Sequence, residues 1–394
     1  MKKSLRSQNK DHGRIAFLIS SFRAGGGERV MITLANAFAV RGYTVDLLVL
    51  KPVGQYAEHV NSGVTVHSLD RRRLALSLFP LMTYLRKEEP EVILALDEYT
   101  HLLALFARKL TGSKVRIVLR IGNMLSELFT RYEGLKNKII PPLVRRFYKK
   151  ADRIIAVSKG VADDIIMVTG IAPERLSVIY QPKPRAEILE KAKVAVDHPW
   201  FSDKSIPLAL FVGRLRVQKN LPVLLHAFAK VRAGMSARLV LIGTGREEGR
   251  LRTLITKLGL EDSVALIGYA DNPYSYMNKA DVFVFPTLWE GMPNALLEAM
   301  VVGLPVISSD CSGAGPREII APDTDHTVRL AHGTEYAKYG VLVAVNDENA
   351  LAEALQKLLS DSELRAQYAA KSRERSADFD ADGIIDEYAQ ALGI

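Results

Sequence analysis

The sequence predicts an α/β fold of doubly wound parallel sheets, on three observations. Short apolar runs recur along the chain, Val282–Phe285 among them, and a run apolar at every position suits a strand buried on both faces. Amphipathic stretches of helical length separate these runs, the alternation that builds a parallel sheet with helices on both sides. The 394 residues are enough for two such domains, each with its own core.

Bulk composition agrees. Apolar residues make up 48% and charged residues 25%, as in a soluble globular protein. The single cysteine, Cys311, excludes an internal disulfide and a cysteine-rich metal site. The start, MKKSLRSQNKDHGR, is polar, residues 15–20 are too short for a signal core, and no apolar run approaches the roughly 20 residues that span a bilayer. A cytoplasmic protein whose membrane contact is peripheral is expected. Residues 1–183 carry 30 Lys and Arg against 16 Asp and Glu, a net of +14, while the remainder carries −5, giving +9. A basic half attracts polyanions, either nucleic acid or the anionic cytoplasmic leaflet.

Residues 1–13 read as a disordered basic leader and 14–20 as the first strand. Phe22-Arg23-Ala24-Gly25-Gly26-Gly27 then turns into a helix over 28–41. A glycine-rich turn between strand and helix lets the backbone approach a phosphate, but no Gly-Lys-Ser/Thr follows and the spacing is not a dinucleotide fingerprint. Strands follow at 44–50 and 64–68. Arg71-Arg72-Arg73 precedes an amphipathic segment at 74–87. The strand at 92–96 ends at Asp97-Glu98-Tyr99-Thr100, a helix carrying His101 runs through Lys109, and the strand at 115–119 ends in Arg120-Ile121-Gly122-Asn123.

Residues 135–151, LKNKIIPPLVRRFYKKA, place apolar side chains at helical spacing beside clustered cations. That pattern reads as an interfacial helix, or as a helix packed on the sheet with solvated cations; the basic rim alone could serve a membrane in either case. A strand at 153–157, a helix opened by Ser158-Lys159-Gly160 and a strand at 176–180 complete the first domain. Pro182 and Pro184 mark the link, with the boundary between 182 and 205.

The second domain opens with a strand at 207–212 and the loop Gly213-Arg214-Leu215-Arg216-Val217-Gln218-Lys219-Asn220. Arg214 offers a planar fork for two phosphate oxygens and Lys219 a compact charge. After a helix at 221–233, the strand at 238–242 stops at Gly243-Thr244-Gly245. A helix at 247–258 and a strand at 264–267 lead to Gly268-Tyr269. Residues 280–310 are one β-α-β unit: strand, turn-rich loop with Glu290, helix closed by Gly303, strand. Glu298 lies one turn after Asn294 on the same helix face. The helix start aims unpaired N–H groups at the crevice, suited to a diphosphate, and a carboxylate beyond can accept from vicinal hydroxyls. By spacing alone, two solvated glutamates on an ordinary crossover fit equally well. A strand at 339–345, a helix at 348–359 and helical residues 364–394 end the chain.

The wording of these loops resembles the retaining GT-B glycosyltransferases of family 4. Glu290-Gly-Met-Pro-Asn-Ala-Leu-Leu-Glu298 is similar to their E-x7-E motif. Gly25-Gly26-Gly27-Glu28-Arg29, Val157-Ser158, Val212-Gly213-Arg214-Leu215, Gln218-Lys219-Asn220, Gly243-Thr244-Gly245 and Gly315-Pro316-Arg317-Glu318-Ile319 follow the family's order over nearly the whole chain. The resemblance implies two Rossmann-like domains facing across a deep cleft. Residues 1–183 would form the acceptor- and membrane-facing domain, with 376–394 crossing back onto it, and 184–375 the nucleotide-sugar domain. It implies catalytic roles for Arg214, Lys219 and Glu290. It implies donor contacts from Gly26, Gly27, Gly213, Gly243, Gly245, Tyr269, Gly291, Met292, Pro293, Asn294, Ala295, Leu296 and Glu298. Many members carry a histidine just past the strand at 115–119; here Arg120 and Asn123 stand there as acceptor-side candidates, and His101 is either a substitute or, the favoured reading, a structural residue on a helix face. The Ser-Gly…Pro-Arg-Glu wording is similar to several N-acetylhexosamine transferases.

The implied reaction moves a hexose or N-acetylhexosamine from a nucleoside diphosphate, UDP foremost, to a hydroxyl of a lipid-linked, lipopolysaccharide or polysaccharide acceptor, with configuration retained. Arg214, Lys219 and the helix start would stabilise the leaving diphosphate, so no metal or other cofactor is expected, and no D-x-D pair stands at a strand end. The expected partners are the nucleotide sugar, the glycan acceptor and an anionic membrane surface. Nucleic acid is not expected, for want of a basic-aromatic single-strand platform. The competing readings are a GT-B nucleotide-sugar epimerase, whose acids and histidines are not found, and an inactive membrane-binding scaffold, against which Arg214, Lys219, Glu290 and Glu298 argue.

Overall fold

The computed structural model describes residues 13–394 except 24, 72 and 73. The basic leader, save Gly13, and two arginines of the Arg71-Arg72-Arg73 run lie outside the described residues, as does Ala24. The first sheet comprises β1 (Arg14–Ser21), β2 (Thr44–Lys51), β3 (Val64–Ser68), β4 (Val92–Ala95), β5 (Arg116–Ile121), β6 (Arg153–Ala156) and β7 (Leu176–Val178), all parallel, in the order β3-β2-β1-β4-β5-β6-β7. The second comprises β8 (Leu208–Val212), β9 (Arg238–Ile242), β10 (Val264–Gly268), β11 (Val282–Phe285), β12 (Val306–Ser309), β13 (Thr334–Ala337) and β14 (Gly340–Val343), in the order β10-β9-β8-β11-β12-β14-β13. Helices pack on both faces, so central strands such as β4 and β11 are buried throughout.

This topology positions the site. In each sheet the order reverses beside the first strand, between β1 and β4 and between β8 and β11. Loops leaving the carboxyl ends of strands at such a point diverge and leave a crevice. The loops after β1, β4, β8 and β11 carry Gly26, Asp97, Arg214 and Glu290, and all four residues line one cleft.

Three local expectations change. The first helix starts at Gly26, not Glu28, because Gly25 takes the extended cap conformation (φ −153°) and Arg29 N–H already donates to its carbonyl. A strand, β13, pairs antiparallel with β14 at the sheet edge. Residues 364–394 form two helices, Ser362–Ser376 and Ala381–Leu392, broken where the chain crosses between domains. At the crossing, Lys183 N–H donates to the Phe379 carbonyl (2.8 Å) and the Lys183 carbonyl accepts from Ala381 N–H (3.0 Å). The last helix buries Ile384, Ile385, Tyr388 and Leu392, and Arg120 Nε donates to Tyr388 Oη (3.0 Å). The chain end therefore returns to the first domain.

The helix Gly134–Phe147 resolves its two readings. Val144 is buried, Ile140, Leu143 and Phe147 pack on the core, and the Phe147 ring lies 4.6 Å from that of Phe106. These apolar side chains are spent inside the protein, whereas Ile139 is exposed. Lys136, Lys138, Arg145, Arg146, Lys149 and Lys150 all remain exposed.

Candidate active site

The cleft between the two sets of strand ends has a volume of about 1240 Å³. Its second-domain wall is built from closely stacked loops. Gly213 N–H donates to the Ile242 carbonyl (2.9 Å). A Cβ on Gly243, whose φ is +139°, would lie 1.9 Å from the Gly213 carbonyl oxygen, and one on Gly245 would lie 2.0 Å from that of Leu215. Both glycines are thus required by backbone packing beside Arg214, whatever else they touch. Gln218 joins this wall to the β11 loop: its side chain donates to Trp289 O (2.8 Å) and its carbonyl accepts from Leu288 N–H (2.8 Å). That join brings Lys219 and Glu290 into an ion pair, both half-buried, with the ammonium 4.4 Å from the centroid of Phe285. Arg214 is exposed and has no ion-pair partner among the described residues.

The helix Asn294–Val301 begins after Pro293. Leu297 N–H donates to the Pro293 carbonyl (3.3 Å), so the N–H groups of Asn294, Ala295 and Leu296 precede the ladder. The Leu296 side chain is in the core, so only its backbone can serve a ligand. Glu298, only 3% exposed, lines the cleft and accepts from Arg29 and from Lys183 Nζ (3.3 Å). Lys183 also donates to Asn294 Oδ1.

The first-domain wall is different in kind. Gly26 approaches Asn294 so closely that a Cβ would lie 2.5 Å from its amide nitrogen. Asp97 caps the helix Glu98–Thr111, accepting from Tyr99 and Thr100 N–H. Burial raises the Glu28 and Glu98 carboxyls; Arg214 and Arg120 oppose the shift at Glu28, and the Tyr132 hydroxyl, which donates to Glu98 (2.6 Å), opposes it there. His101 is buried, with Nε2 on the Ala95 carbonyl (3.0 Å) and Nδ1 on Tyr148 Oη (2.7 Å), and burial pushes its pKa down to about 4. Neither ring nitrogen is left for a substrate. Arg120 is 1% exposed, held through Nε by Tyr388, while its Nη2 has no hydrogen-bond partner among the described residues. Asn123 is exposed at the rim.

The cleft therefore brings together Arg214, Lys219, Glu290, Gly26, Gly27, Gly213, Gly243, Gly245, Tyr269, Met292, Pro293, Asn294, Ala295, Glu298, Arg120, Asn123 and His101. Gly291 stands behind it: a Cβ there would lie 2.3 Å from the Gly122 carbonyl oxygen, so this glycine lets two loops of opposite domains touch. Arg317 and Glu318 also point elsewhere. Arg317 pairs with Asp310 (2.7 Å) and Glu335 (2.9 Å). Glu318 accepts from Lys159 N–H (2.7 Å) and Tyr180 Oη (3.1 Å), fastening the two domains. The Arg317 and Glu318 side chains of the Pro-Arg-Glu wording are thus engaged in packing between elements. No local signal in the sequence marks Arg29 or Lys183 as site residues: Arg29 closes the Gly25-Gly26-Gly27-Glu28-Arg29 motif, and Lys183 lies between two linker prolines.

The comparisons with known proteins agree with this geometry. Residues 24–182 match Glycosyltransferase Family 4 and residues 197–375 match Glycosyl transferases group 1. The chain is 28% identical over 380 residues to N-acetylgalactosamine-N,N'-diacetylbacillosaminyl-diphospho-undecaprenol 4-alpha-N-acetylgalactosaminyltransferase of Campylobacter jejuni, covering 93% of this chain and 96% of that one. It is 32% identical over 280 residues to an uncharacterized glycosyltransferase of Methanocaldococcus jannaschii, covering 65% and 67%. Anabaena HepE in complex with UDP-glucose superposes with a TM-score of 0.77 at 19% identity, covering 97% of this chain and all of that one. WaaG, a glycosyltransferase involved in lipopolysaccharide biosynthesis, gives 0.73 at 17% identity, covering 96% and 99%. The chain belongs to glycosyltransferase family 4 and has the GT-B fold.

Proposed function

We propose that this protein transfers a hexose or N-acetylhexosamine from a UDP-sugar to a hydroxyl of a lipid-linked, lipopolysaccharide or polysaccharide acceptor, with retention of configuration and without a metal. One observation carries the reading: Arg214, Lys219 and the open start of the helix Asn294–Val301 line one cleft with two carboxylates, Glu290 and Glu298. The hard step is departure of the diphosphate. Two cations and three unpaired N–H groups supply the electrostatic stabilisation this demands. Glu298 would hold the ribose hydroxyls. Glu290 would leave Lys219 to hold the donor sugar, freeing the ammonium for the phosphate. In a front-face displacement the bond from the anomeric carbon to the phosphate oxygen breaks, the acceptor oxygen bonds to the same face, and its proton passes to the departing phosphate. Closure of the two walls would exclude water.

The donor is chosen because a fold neighbour is seen with UDP-glucose, and the acceptor because the Campylobacter relative is named for a diphospho-undecaprenol substrate. No helix among the described residues is long and apolar enough to cross a membrane. The exposed cations of the helix Gly134–Phe147 and the residues after it would hold the first domain to the anionic inner face of the plasma membrane, each contributing on the order of 1 kcal/mol near the surface. The test is a panel of UDP-sugars assayed for UDP release, with and without lipid extract, with chelator present. Release from one donor, enhanced by lipid and indifferent to chelator, is expected. Release that chelator abolishes overturns the metal-free mechanism, and no release from any donor overturns the transferase reading.

A further inference from the structure

Glu298 is held by two cations of unlike character. Lys183 is 3% exposed, and its backbone is fixed on both sides by the returning chain at Phe379 and Ala381. Its Nζ bonds Glu298 Oε1 (3.3 Å) and Asn294 Oδ1 at once. Arg29 comes from the helix Gly26–Val40, across the cleft, and reaches the same Oε1 with a side chain that is 30% exposed. Its second contact, to Tyr274 Oη at 3.3 Å, is long. Glu298 Oε2 has no hydrogen-bond partner among the described residues.

These differences decide which cation can leave. Separating a buried pair strands a charge in a low dielectric, whereas a half-exposed pair gives up little, because water solvates the released group. A ribose offers two hydroxyl donors to one carboxylate, and one carboxylate oxygen is already open. We propose that Lys183 is the positioning residue that aims Glu298 at the ribose, and that Arg29 is the cross-cleft occupant the ribose replaces. The inference rests on Glu298 holding the ribose, as proposed above. It adds that the residue at the domain crossing reaches into the nucleotide site, so hinge and nucleotide are coupled through one side chain. Burial, with the nearby Arg29 and Arg120 guanidiniums, pushes the Lys183 ammonium well down from its ordinary value, while its Nζ is held between Glu298 and Asn294.

The experiment is calorimetric titration of UDP and 2′,3′-dideoxy-UDP into the full chain and its variants. Wild type should prefer UDP about tenfold or more, since two hydrogen bonds to a carboxylate separate the ligands. Lys183→Met should bring that preference to within about twofold. Lys183→Arg, which keeps the charge, should restore part of it. Arg29→Gln should increase the preference about threefold or more by tightening UDP alone, because dideoxy-UDP has no need to displace the guanidinium. Should Lys183→Met not fold, Lys183→Gln, which keeps a polar end for Asn294, takes its place. A lysine variant that keeps the wild-type preference, or an Arg29→Gln that binds UDP more weakly, overturns the inference. A wild type that does not distinguish the two ligands instead removes the ribose reading of Glu298.

Discussion

The two walls of the cleft occupy equivalent places in equivalent sheets and are built on opposite plans. In the second-domain wall, functional side chains point outward: Arg214 is exposed, Lys219 and Glu290 are half-buried, and glycines at 213, 243 and 245 let their loops stack without filling the crevice. In the first-domain wall, polar side chains point inward: His101, Tyr148 and Asp97 bond one another or backbone groups, and Arg120 bonds the returning helix through Nε. The same topology thus presents a charged reagent surface on one side and a hydrogen-bonded support on the other. A leaving diphosphate needs fixed charge near it, whereas an acceptor needs a surface of fixed shape.

The largest effect should fall on the reagent wall. Lys219→Ala is expected to lower turnover about 10²–10³-fold, the usual consequence of removing one donor from a developing anion. Glu298→Ala is expected to act mainly on binding, weakening UDP about tenfold or more with a smaller effect on turnover. Steady-state rates and UDP titration on both variants check this. Equal changes in turnover and UDP affinity in the two variants would erase the division of labour between Lys219 and Glu298.

The support wall should show itself in stability instead. His101 has a folded pKa of about 4, below the ordinary value of 6.5. Above pH 6.5 it is neutral in both folded and unfolded chains. As pH falls, the unfolded chain takes up a proton that the folded chain refuses, so stability is lost between about 6.5 and 4. The full loss is on the order of 3 kcal/mol. Urea unfolding at pH 7, 5.5 and 4 should show this slope, and His101→Asn should flatten it while leaving UDP affinity within about twofold. A variant with an unchanged slope and lost activity would move His101 to the reagent side.

The same contrast explains what the sequence made legible. The second-domain wall depends on residues close along the chain, where strand ends, Gly-Arg and Gly-Thr-Gly loops and the Pro293 helix start can be read by local rules. Both sheets and the returning helix followed from periodicity and from the family's motif order. The edge strand β13 was missed because its partly buried residues, Thr334–Ala337, give no clear apolar alternation. Arg29 and Lys183 were missed for a different reason: they lie 269 and 115 residues from Glu298, and no local pattern announces a partner at that distance. His101 could be placed on a helix, but that both its nitrogens are occupied depends on Tyr148 from a later element.

The smallest expected effect tests the comparison at its weakest point, Arg120. Its guanidinium is buried, faces the cleft and leaves Nη2 without a hydrogen-bond partner among the described residues, so it could belong to either plan. Tyr388 decides, because it supplies the one hydrogen bond on Nε. If Arg120 serves as support, Tyr388→Phe leaves a second buried N–H unpaired and should cost about 1–3 kcal/mol of stability. The first domain, as a unit of under about 200 residues, would then melt a few degrees lower, roughly 2–4 °C per kcal/mol. UDP affinity and the acceptor KM should stay within about twofold. If Arg120 instead contacts substrate, loosening it should raise the acceptor KM while the melting point barely moves. Measuring both on one variant separates the two. The second result would mean that the support wall carries a reagent of its own, held in place by the helix that returns from the other domain.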